Sequence, residues 1–226
     1  WKLAQSPKVT KLYAAPGNAG IAGLAECAAI DASEIRRLAE FAERQKIDLT
    51  VVGPELPLTL GIADEFQRRG MRIFGPSQAA STIEGSKVFA KEFMERWGIP
   101  TARFRVFEDP SEARSYLQEV SPPVVLKADG LAAGTGVVVA GDPDSAARAV
   151  ENIMEVRAFG DAGARLVVEE HLEGTEVSVL ALTDGEEVLP LVASQDHKRA
   201  FDGDAGPNTG GMGACSPVPF YDEATA

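Results

Sequence analysis

Residues 124–140 read VVLKADGLAAGTGVVVA, and this stretch decides the fold of the second half of the chain. Two runs of mostly β-branched residues flank a loop made largely of glycine and alanine, which predicts two strands and their connection. Lys127 stands where the first strand ends. Its ammonium group and the accessible backbone N–H groups of small residues are two kinds of anion contact. The stretch predicts a phosphate-binding hairpin that is not a Walker loop, and an ordinary hairpin tip with an exposed lysine is an equally weighted alternative.

The residues after this hairpin predict further antiparallel structure. Residues 144–156 have the spacing of an amphipathic helix, and strand patterns cover 166–170, 176–182 and 187–189. Asp184-Gly185 is typical of a two-residue turn between the last two strands. We therefore expect an α+β unit in this part of the chain.

The first third of the chain alternates short apolar runs with helical patterns. Residues 9–13, 49–52 and 71–74 read as strands. Strands that are separated by helices favour right-handed crossovers and an open parallel sheet. Ligands bind at the carboxyl ends of such strands, where Gly53-Pro54-Glu55 lies.

Helical patterns separate these strands. Asp31 and Glu34 have the spacing of a capping box. A second helix is predicted to carry Leu58, Ile62 and Phe66. A third is predicted over residues 86–97, with an aromatic stripe of Phe89, Phe93 and Trp97, and with Lys87 and Lys91 on a solvated face unless a nucleotide phosphate lies beside them.

The amino-acid composition argues against several classes of function. The 226 residues include 22 Lys and Arg against 34 Asp and Glu, for a net charge of −12. This balance argues against broad binding to nucleic acid or to anionic membranes. The least polar long stretch, residues 131–141, is too short to cross a bilayer. Two cysteines leave a disulfide open but do not indicate a secreted scaffold, so we expect a cytoplasmic protein.

Two more segments suggest a ligand. Residues 168–176 form an acidic strand end whose backbone could pair with a base, although a solvated strand end is the more common reading of such a pattern. Residues 194–199 place two basic side chains before a stretch with four glycines, residues 206–213. Close approach of the backbone to a ligand explains such glycine density better than a linker does. Asp196-His197 has no Ser or Cys nucleophile beside it, which argues against hydrolysis.

Seven motifs occur in an order that resembles one family. They are APGNAG at 15–20, VGPExPL at 52–58, IFGP at 73–76, EGSK at 84–87, KADGLAAG at 127–134, SQDHKR at 194–199 and GPNTGGMG at 206–213. Together they resemble the glycinamide ribonucleotide synthetases, ligases of the ATP-grasp group. The resemblance covers the whole chain.

The resemblance implies an activity. Members of this family use ATP and Mg²⁺ (or Mn²⁺) to join glycine to 5-phosphoribosylamine through a glycyl phosphate, a step of purine biosynthesis. It implies small-molecule substrates, and we expect a monomer that binds neither nucleic acid nor membrane. Acyl phosphate formation needs positioning and charge cancellation rather than a nucleophile, which agrees with the residues above.

The resemblance also implies site residues. Lys127 and Arg199 would be the catalytic cations. The ATP site would consist of Lys87, Lys127, Gly130, Gly134, Gly136, Glu169, Glu170, His171, Leu172, Glu176, Arg199 and Asn208. The substrate pockets would be bordered by Gly53, Pro54, Glu55, Asp196, Lys198, Thr209, Gly210, Gly211, Met212 and Gly213.

The implied fold is a parallel-sheet α/β domain followed by an ATP-grasp domain. We expect the first domain over residues 1–80 and the second over 81–226, with an antiparallel ATP-lid subdomain over 121–190; the junction is expected between 76 and 86. Relative to the family, the opening strand and its glycine-rich loop would precede Trp1. The metal ligands would follow Ala226, so no metal ligand is expected within the chain. We therefore expect a fragment that is inactive alone.

One departure stands inside the loop. Thr135 occupies a position where the family usually has a second lysine. Two other functions stay open: another ATP-grasp carboxylate–amine ligase, and a non-catalytic nucleotide-binding module in which Thr135 marks the loss of activity.

Overall fold

The computed structural model describes residues 1–131, 136–203, 205–222 and 224, which form two compact units, Trp1–Phe93 and Met94–Ala226. Among these residues, none of the helices combines the length and the apolar character needed to cross a bilayer.

The first unit contains four short strands. Most of its helices lie between these strands in sequence. The strands are β1 (Tyr13–Ala14), β2 (Glu26–Cys27), β3 (Thr50–Val51) and β4 (Ile73–Phe74). The helices are α1 (Ile35–Gln45), α2 (Glu55–Thr59), α3 (Ile62–Arg68), α4 (Gln78–Gly85) and α5 (Lys87–Trp97), the last of which continues past Phe93.

The strand pairs of the first unit are parallel. β1 pairs with β2, and β3 pairs with β4, in two separate two-stranded sheets. The parallel pairing agrees with the sequence analysis, but the single open sheet does not. The strand predicted over residues 9–13 is also shorter, because only Tyr13 and Ala14 pair with β2.

Two predictions for the helices of the first unit are corrected. Leu58 belongs to α2 and Phe66 to α3, because Gly61 adopts a φ of +84° and ends the first of the two helices. The capping box forms only in part: Glu34 accepts a hydrogen bond from the Asp31 N–H (3.0 Å), but the Asp31 carboxylate turns to the Ser33 N–H (2.8 Å). α1 therefore begins at Ile35.

Helix α5 packs through a face that the sequence analysis did not choose. Val88 and Lys91 are buried, with exposed fractions of 2% and 6%, whereas Phe89 and Trp97 are exposed. The expectation that Lys91 lies on a solvated face is wrong. Residues three apart share a helix face, so the side that buries Val88 also buries Lys91.

The second unit is built on a four-stranded antiparallel sheet. Its strands are β5 (Phe104–Phe107), β6 (Val124–Ala128), β7 (Val137–Ala140) and β8 (Leu166–Glu170), in the order β5-β8-β6-β7. β5 was not predicted from the sequence. The helices are α6 (Pro110–Glu119) and α7 (Pro143–Val150), and α7 runs on as a π-helical turn over Glu151–Glu155.

One face of this sheet builds the core of the unit. Leu126, Leu166 and Val168 are almost fully buried, together with Val150 and Ile153 from the helical side. Successive residues of a strand point to opposite faces, so Val125, Lys127, Val167 and Glu169 lie on the other face. The register pairs Val125 with Glu169 and Lys127 with Val167.

The remaining strands are short. They are β9 (Ala181–Thr183), β10 (Val188–Pro190), β11 (Gln195–Asp196), β12 (Arg199–Phe201), β13 (Ala205–Asn208) and β14 (Ala214–Cys215). The strand predicted over 176–182 reduces to β9, with Ser178 in an isolated bridge to Ser194. β9 and β10 form their own sheet apart from β8.

The connection between β9 and β10 is longer than the predicted two-residue turn. Thr183 pairs with Val188, which leaves four residues in the loop. The Asp184 carboxylate accepts hydrogen bonds from the N–H groups of Glu186 and Glu187. These bonds lower the pKa of Asp184 and close the wider loop.

Asp142 is the N-cap of α7, and its carboxylate accepts the Ser145 N–H at 2.8 Å while Ser145 completes a capping box. This hydrogen bond lowers the pKa of Asp142. The stabilisation is present above the ordinary Asp pKa of about 3.9 and is lost as the pH falls through the lowered folded-state value.

Replacing Asp142 by Ala is expected to lower the melting temperature by about 3 °C at pH 7. Asp142→Asn is the matched control, because asparagine caps without a charge and should keep most of the stability. Circular dichroism melts between pH 2 and 7 test this: the Asn variant should lose less stability in acid than the native chain. Equal melting of the Ala and Asn variants would show that the cap contributes nothing.

Candidate nucleotide site

The face of the β5-β8-β6-β7 sheet opposite the core residues Leu126 and Leu166 carries an ion pair. Lys127 Nζ lies 2.9 Å from the Glu169 carboxylate, and the Glu169 side chain is buried while about a quarter of the Lys127 side chain is exposed. The two residues stand on neighbouring strands, and Glu169 lies two residues along β8 from Val167, the register partner of Lys127. Glu169 thus fixes an ammonium group whose outer side still meets solvent.

The nearest neighbours of this ion pair on the same face are apolar. Val125, Val167 and Val137 surround Lys127 in the register, and Phe104 pairs with Glu169. Apolar side chains beside a lysine have the chemistry of a nucleotide site, because a base can pack against carbon while a phosphate meets the ammonium group. We call these residues together the sheet-face site.

The predicted phosphate loop begins and ends at this site. Gly130 has a φ of +109°, and the Ala128 N–H donates to the Gly136 carbonyl oxygen at 2.9 Å. Only glycine adopts such a φ without strain, so the backbone conformation of this turn requires glycine at position 130. The predicted site residue Gly134 lies outside the described residues, as does Thr135.

The end of β8 is held by a reciprocal contact with Arg103. The Glu170 carboxylate accepts the Arg103 N–H (2.8 Å) and Nε–H (2.7 Å), and the Glu170 N–H donates to the Arg103 carbonyl oxygen. The hydrogen bond to Glu170 raises the pKa of the Arg103 guanidinium. Both carboxylate oxygens of Glu170 face protein donors, while His171 and Leu172, which follow, are exposed. Glu170 therefore orients the strand end through its side chain.

A second charged group lies on the β11–β14 side of the unit. Lys198 forms an ion pair with Glu176 and lies 3.7 Å from Asp196. The hydrogen bond to Glu176, aided by both negative charges, raises the pKa of Lys198. The cluster thus brings together three predicted site residues, two for the substrates (Asp196 and Lys198) and one for ATP (Glu176).

The glycine-rich segment folds back on this cluster. The Lys198 carbonyl oxygen accepts both the N–H (2.7 Å) and the hydroxyl (2.9 Å) of Thr209, and Met212 N–H donates to His197. Gly211 has a φ of +114°. Residues 209–213 consequently curve around 197–198, while Gly210 and Gly213 have open space where a Cβ would stand.

Arg199 is held within the β12–β13 hairpin. It pairs with Asn208 in the register, and its Nη1 donates to the Gly206 carbonyl oxygen at 2.6 Å. Gly206 has a φ of +85°, and a Cβ there would come within 2.4 Å of the Phe201 ring. Arg199 and Asn208 are neighbours, as a shared role at the nucleotide would require.

The first unit contains four of the predicted site residues, Gly53, Pro54, Glu55 and Lys87. Gly53 and Pro54 form an exposed turn between β3 and α2, and Glu55 is the first residue of α2. They follow the carboxyl end of a parallel strand, as expected. Lys87 begins α5, and the Ser86 hydroxyl accepts the Phe89 N–H at the start of that helix.

The structure therefore groups the predicted residues into local clusters. Within the second unit it joins Lys127 to Glu169, Glu176 to Lys198 and Asp196, and Arg199 to Asn208. The sequence analysis missed Arg103, which stands one residue before a strand that it did not predict.

The described residues do not supply a metal site. Across residues 1–131, 136–203, 205–222 and 224, no group of three or more His, Cys, Asp or Glu side chains is arranged to hold an ion. We therefore derive no step of a reaction through a metal.

Two family models match the chain from end to end. Residues 1–84 match the N domain of phosphoribosylglycinamide synthetase, and residues 85–226 match its ATP-grasp (A) domain. The chain belongs to this family. The resemblance drawn from the ordered motifs is thereby confirmed, and the site described above lies in the ATP-grasp domain.

Curated relatives in the synthetase family are similar over nearly the whole chain. A phosphoribosylamine–glycine ligase of Halalkalibacterium halodurans is 53% identical over 223 residues, which is 99% of this chain and 52% of the relative. One of Allochromatium vinosum is 54% identical over 97% of this chain and 52% of the relative. The chain thus spans about half the length of these relatives.

Solved structures agree with the family assignment. A phosphoribosylamine–glycine ligase of Thermotoga maritima superposes with a TM-score of 0.78 and 33% identity, over 96% of this chain and 52% of that one. N5-carboxyaminoimidazole ribonucleotide synthetase of Thermus thermophilus superposes with a TM-score of 0.66 at 22% identity, which shows a shared fold. The predicted ATP-grasp fold is confirmed at this level.

The Lys127–Glu169 pair is expected to be energetically coupled. Lys127→Met leaves a buried carboxylate without its lysine counter-charge and should lower the free energy of unfolding by about 2 kcal/mol. Glu169→Gln removes that charge, so the double variant should be more stable than the sum of the single effects by about 1 kcal/mol or more. Urea unfolding of the four proteins measures this, and strict additivity would mean that the pair is not coupled.

Proposed function

We propose that this chain is the amino-terminal half of an enzyme that ligates glycine to 5-phosphoribosylamine with ATP. The products are glycinamide ribonucleotide, ADP and phosphate, and the intermediate is glycyl phosphate. The observation that carries the proposal is the sheet-face site, an anchored lysine on an apolar sheet surface, in a chain matched over its whole length by the synthetase family. The family's relatives supply the substrate assignment.

Each site residue has a role that follows from its chemistry. The adenine lies on the apolar face and pairs with backbone groups after Glu170, because the carboxylate of Glu170 is already engaged by Arg103. The Lys127 ammonium binds phosphate oxygens while Glu169 keeps it in place. Glu176 accepts the ribose hydroxyls, and Arg199 and Asn208 bind toward the phosphate end.

The substrates meet the cluster around Lys198. The glycine carboxylate and the ATP γ-phosphate are both anionic, so cations that hold them together lower the barrier chiefly through position and charge. The glycine carboxylate attacks the γ-phosphorus, ADP leaves, and the amine of phosphoribosylamine then displaces phosphate from the acyl carbon. Gly53, Pro54 and Glu55, with Asp196 and residues 209–213, border the substrate pockets.

The remaining proposals concern organisation. We place the domain junction near residue 80 and a lid subdomain over residues 121–190, and we place the enzyme in the cytoplasm as a monomer. A divalent ion, Mg²⁺ or Mn²⁺, accompanies ATP and is held by ligands of the longer protein. The 226 residues alone are expected to be inactive.

The proposed reaction is tested on the full-length ligase that contains this chain. ADP release should require both glycine and 5-phosphoribosylamine, and other amino acids should not replace glycine. Lys127→Met should lower kcat/KM by about 100-fold, because it removes a cation from the phosphates. Arg36→Met, at an exposed position of α1, is the matched control and should retain activity.

Other outcomes of this experiment identify other functions. ADP release with a different carboxylate would indicate another ATP-grasp ligase. ATP binding without glycine-dependent ADP release would indicate a nucleotide-binding module that lacks catalysis.

The loop position 135 gives a second test. Thr135→Lys adds a positive charge next to Gly134 and Gly136, so ATP should bind about fivefold more tightly to the full-length protein. Thr135→Gln is the control, because it lengthens the side chain without the charge. Calorimetric titration with ATP compares the three; equal affinities would show that a lysine at this position does not reach the nucleotide.

A further inference from the structure

Asp129 and Arg165 form an ion pair at the point where the chain leaves β6. Arg165 Nη2 lies 2.5 Å from Asp129 Oδ2, and the Asp129 side chain is about nine-tenths buried. The Asp129 N–H also donates to the Arg165 carbonyl oxygen at 3.1 Å. One residue is thus tied to the other through both backbone and side chain.

This pair continues the strand register of the sheet-face site. The last register partners of β6 and β8 are Ala128 and Leu166, and the backbone bond from Asp129 to Arg165 adds one further step. Alternation along the strands puts Asp129 on the same face as Lys127, and Arg165 on the same face as Glu169. Two ion pairs therefore lie side by side on one sheet face. In the first the cation belongs to the β6 side and the anion to the β8 side, and in the second the two charges are exchanged.

The pair also fixes the first turn of the phosphate loop. Gly130, with its φ of +109°, follows Asp129 directly. On the other strand, the Ala128 N–H bond to Gly136 fixes the point where the loop returns. The direction of the Gly130 N–H depends on the peptide plane that joins it to Asp129, and the ion pair holds that residue.

We propose that Asp129 and Arg165 are positioning residues for the ATP phosphates. The proposal rests on the proposed function and adds two residues that the sequence analysis did not assign to the site. The pair acts through the backbone at Gly130 and through the strand end that carries Lys127. Displacing a binding group by about 1 Å costs a large factor in rate, so the pair is expected to affect ATP more than the other substrates.

A second ion pair of the same unit supplies the matched control. Arg114 Nη2 lies 3.0 Å from Glu155, and the exposed fraction of the Arg114 side chain, 37%, is close to the 39% of Arg165. Arg114 lies on α6 and Glu155 ends the π-helical turn, so neither residue belongs to β6 or to the loop that follows it. Arg114→Met therefore removes an ion pair from an arginine of similar exposure, and its partner carboxylate is more exposed than that of Asp129.

The test uses steady-state kinetics of the full-length ligase. Arg165→Met is expected to raise the KM for ATP about tenfold and to leave the KM for glycine unchanged, and Arg114→Met should change neither. Arg165→Lys should restore part of the ATP affinity, since it keeps the charge but not the guanidinium geometry. Equal KM values for ATP in the Arg165→Met and Arg114→Met proteins would overturn the proposal.

A folding defect and a failed function are separated by two further measurements. If Arg165→Met does not fold, Asp129→Asn serves instead, because it keeps the shape and removes the charge; its KM for ATP should rise about threefold, and an unchanged value would overturn the proposal. The native ligase is assayed beside every variant. Absence of glycine-dependent ADP release in the native protein would refute the proposed function itself, whereas an active native protein with unaltered variants would refute only the positioning role.

Discussion

The buried carboxylate of Glu169 is the constraint on which the sheet-face site depends. A carboxylate with so little exposure is costly unless a cation satisfies it, and Lys127 on the neighbouring strand does so. This requirement fixes the lysine side chain among apolar neighbours, Val125, Val137 and Val167. The same pair that stabilises the sheet therefore presents a partly exposed positive charge, which is what a bound triphosphate needs.

The opposite face of the sheet explains why the strand register at this site is fixed. Leu126, Leu166 and Val168 pack into the core of the second unit and alternate with the site residues along the same strands. A one-residue slip of either strand would move the apolar residues to the site face and the ion pair into the core. Core packing and site geometry are consequently set by one register, and the loop after β6 starts from a strand that the core holds in that register.

The strongest sequence patterns anticipated the structure where the interactions are local. The β-branched runs on either side of the 127–136 loop form β6 and β7 as predicted, and the ordered motifs identified the family. The predictions that were wrong or missing concern residues whose structure is determined by tertiary contacts. Lys91 is buried because of the side that α5 turns inward, and β5 is a strand because it pairs with β8, 60 residues later in the chain. The function of Arg103 could not be predicted for the same reason, since its partner Glu170 is far away in sequence.

The glycines of residues 206–213 have two different origins. Gly206 is required by the Phe201 ring and by its own backbone angle, so the fold alone would reject any larger residue there, with or without a nucleotide. Gly210 and Gly213 meet no such obstacle, and the folded protein by itself would tolerate alanine at either position. A glycine retained at position 206 among relatives therefore gives no information about ligand binding. A glycine strictly retained at positions 210 and 213 would instead indicate that a bound substrate requires it.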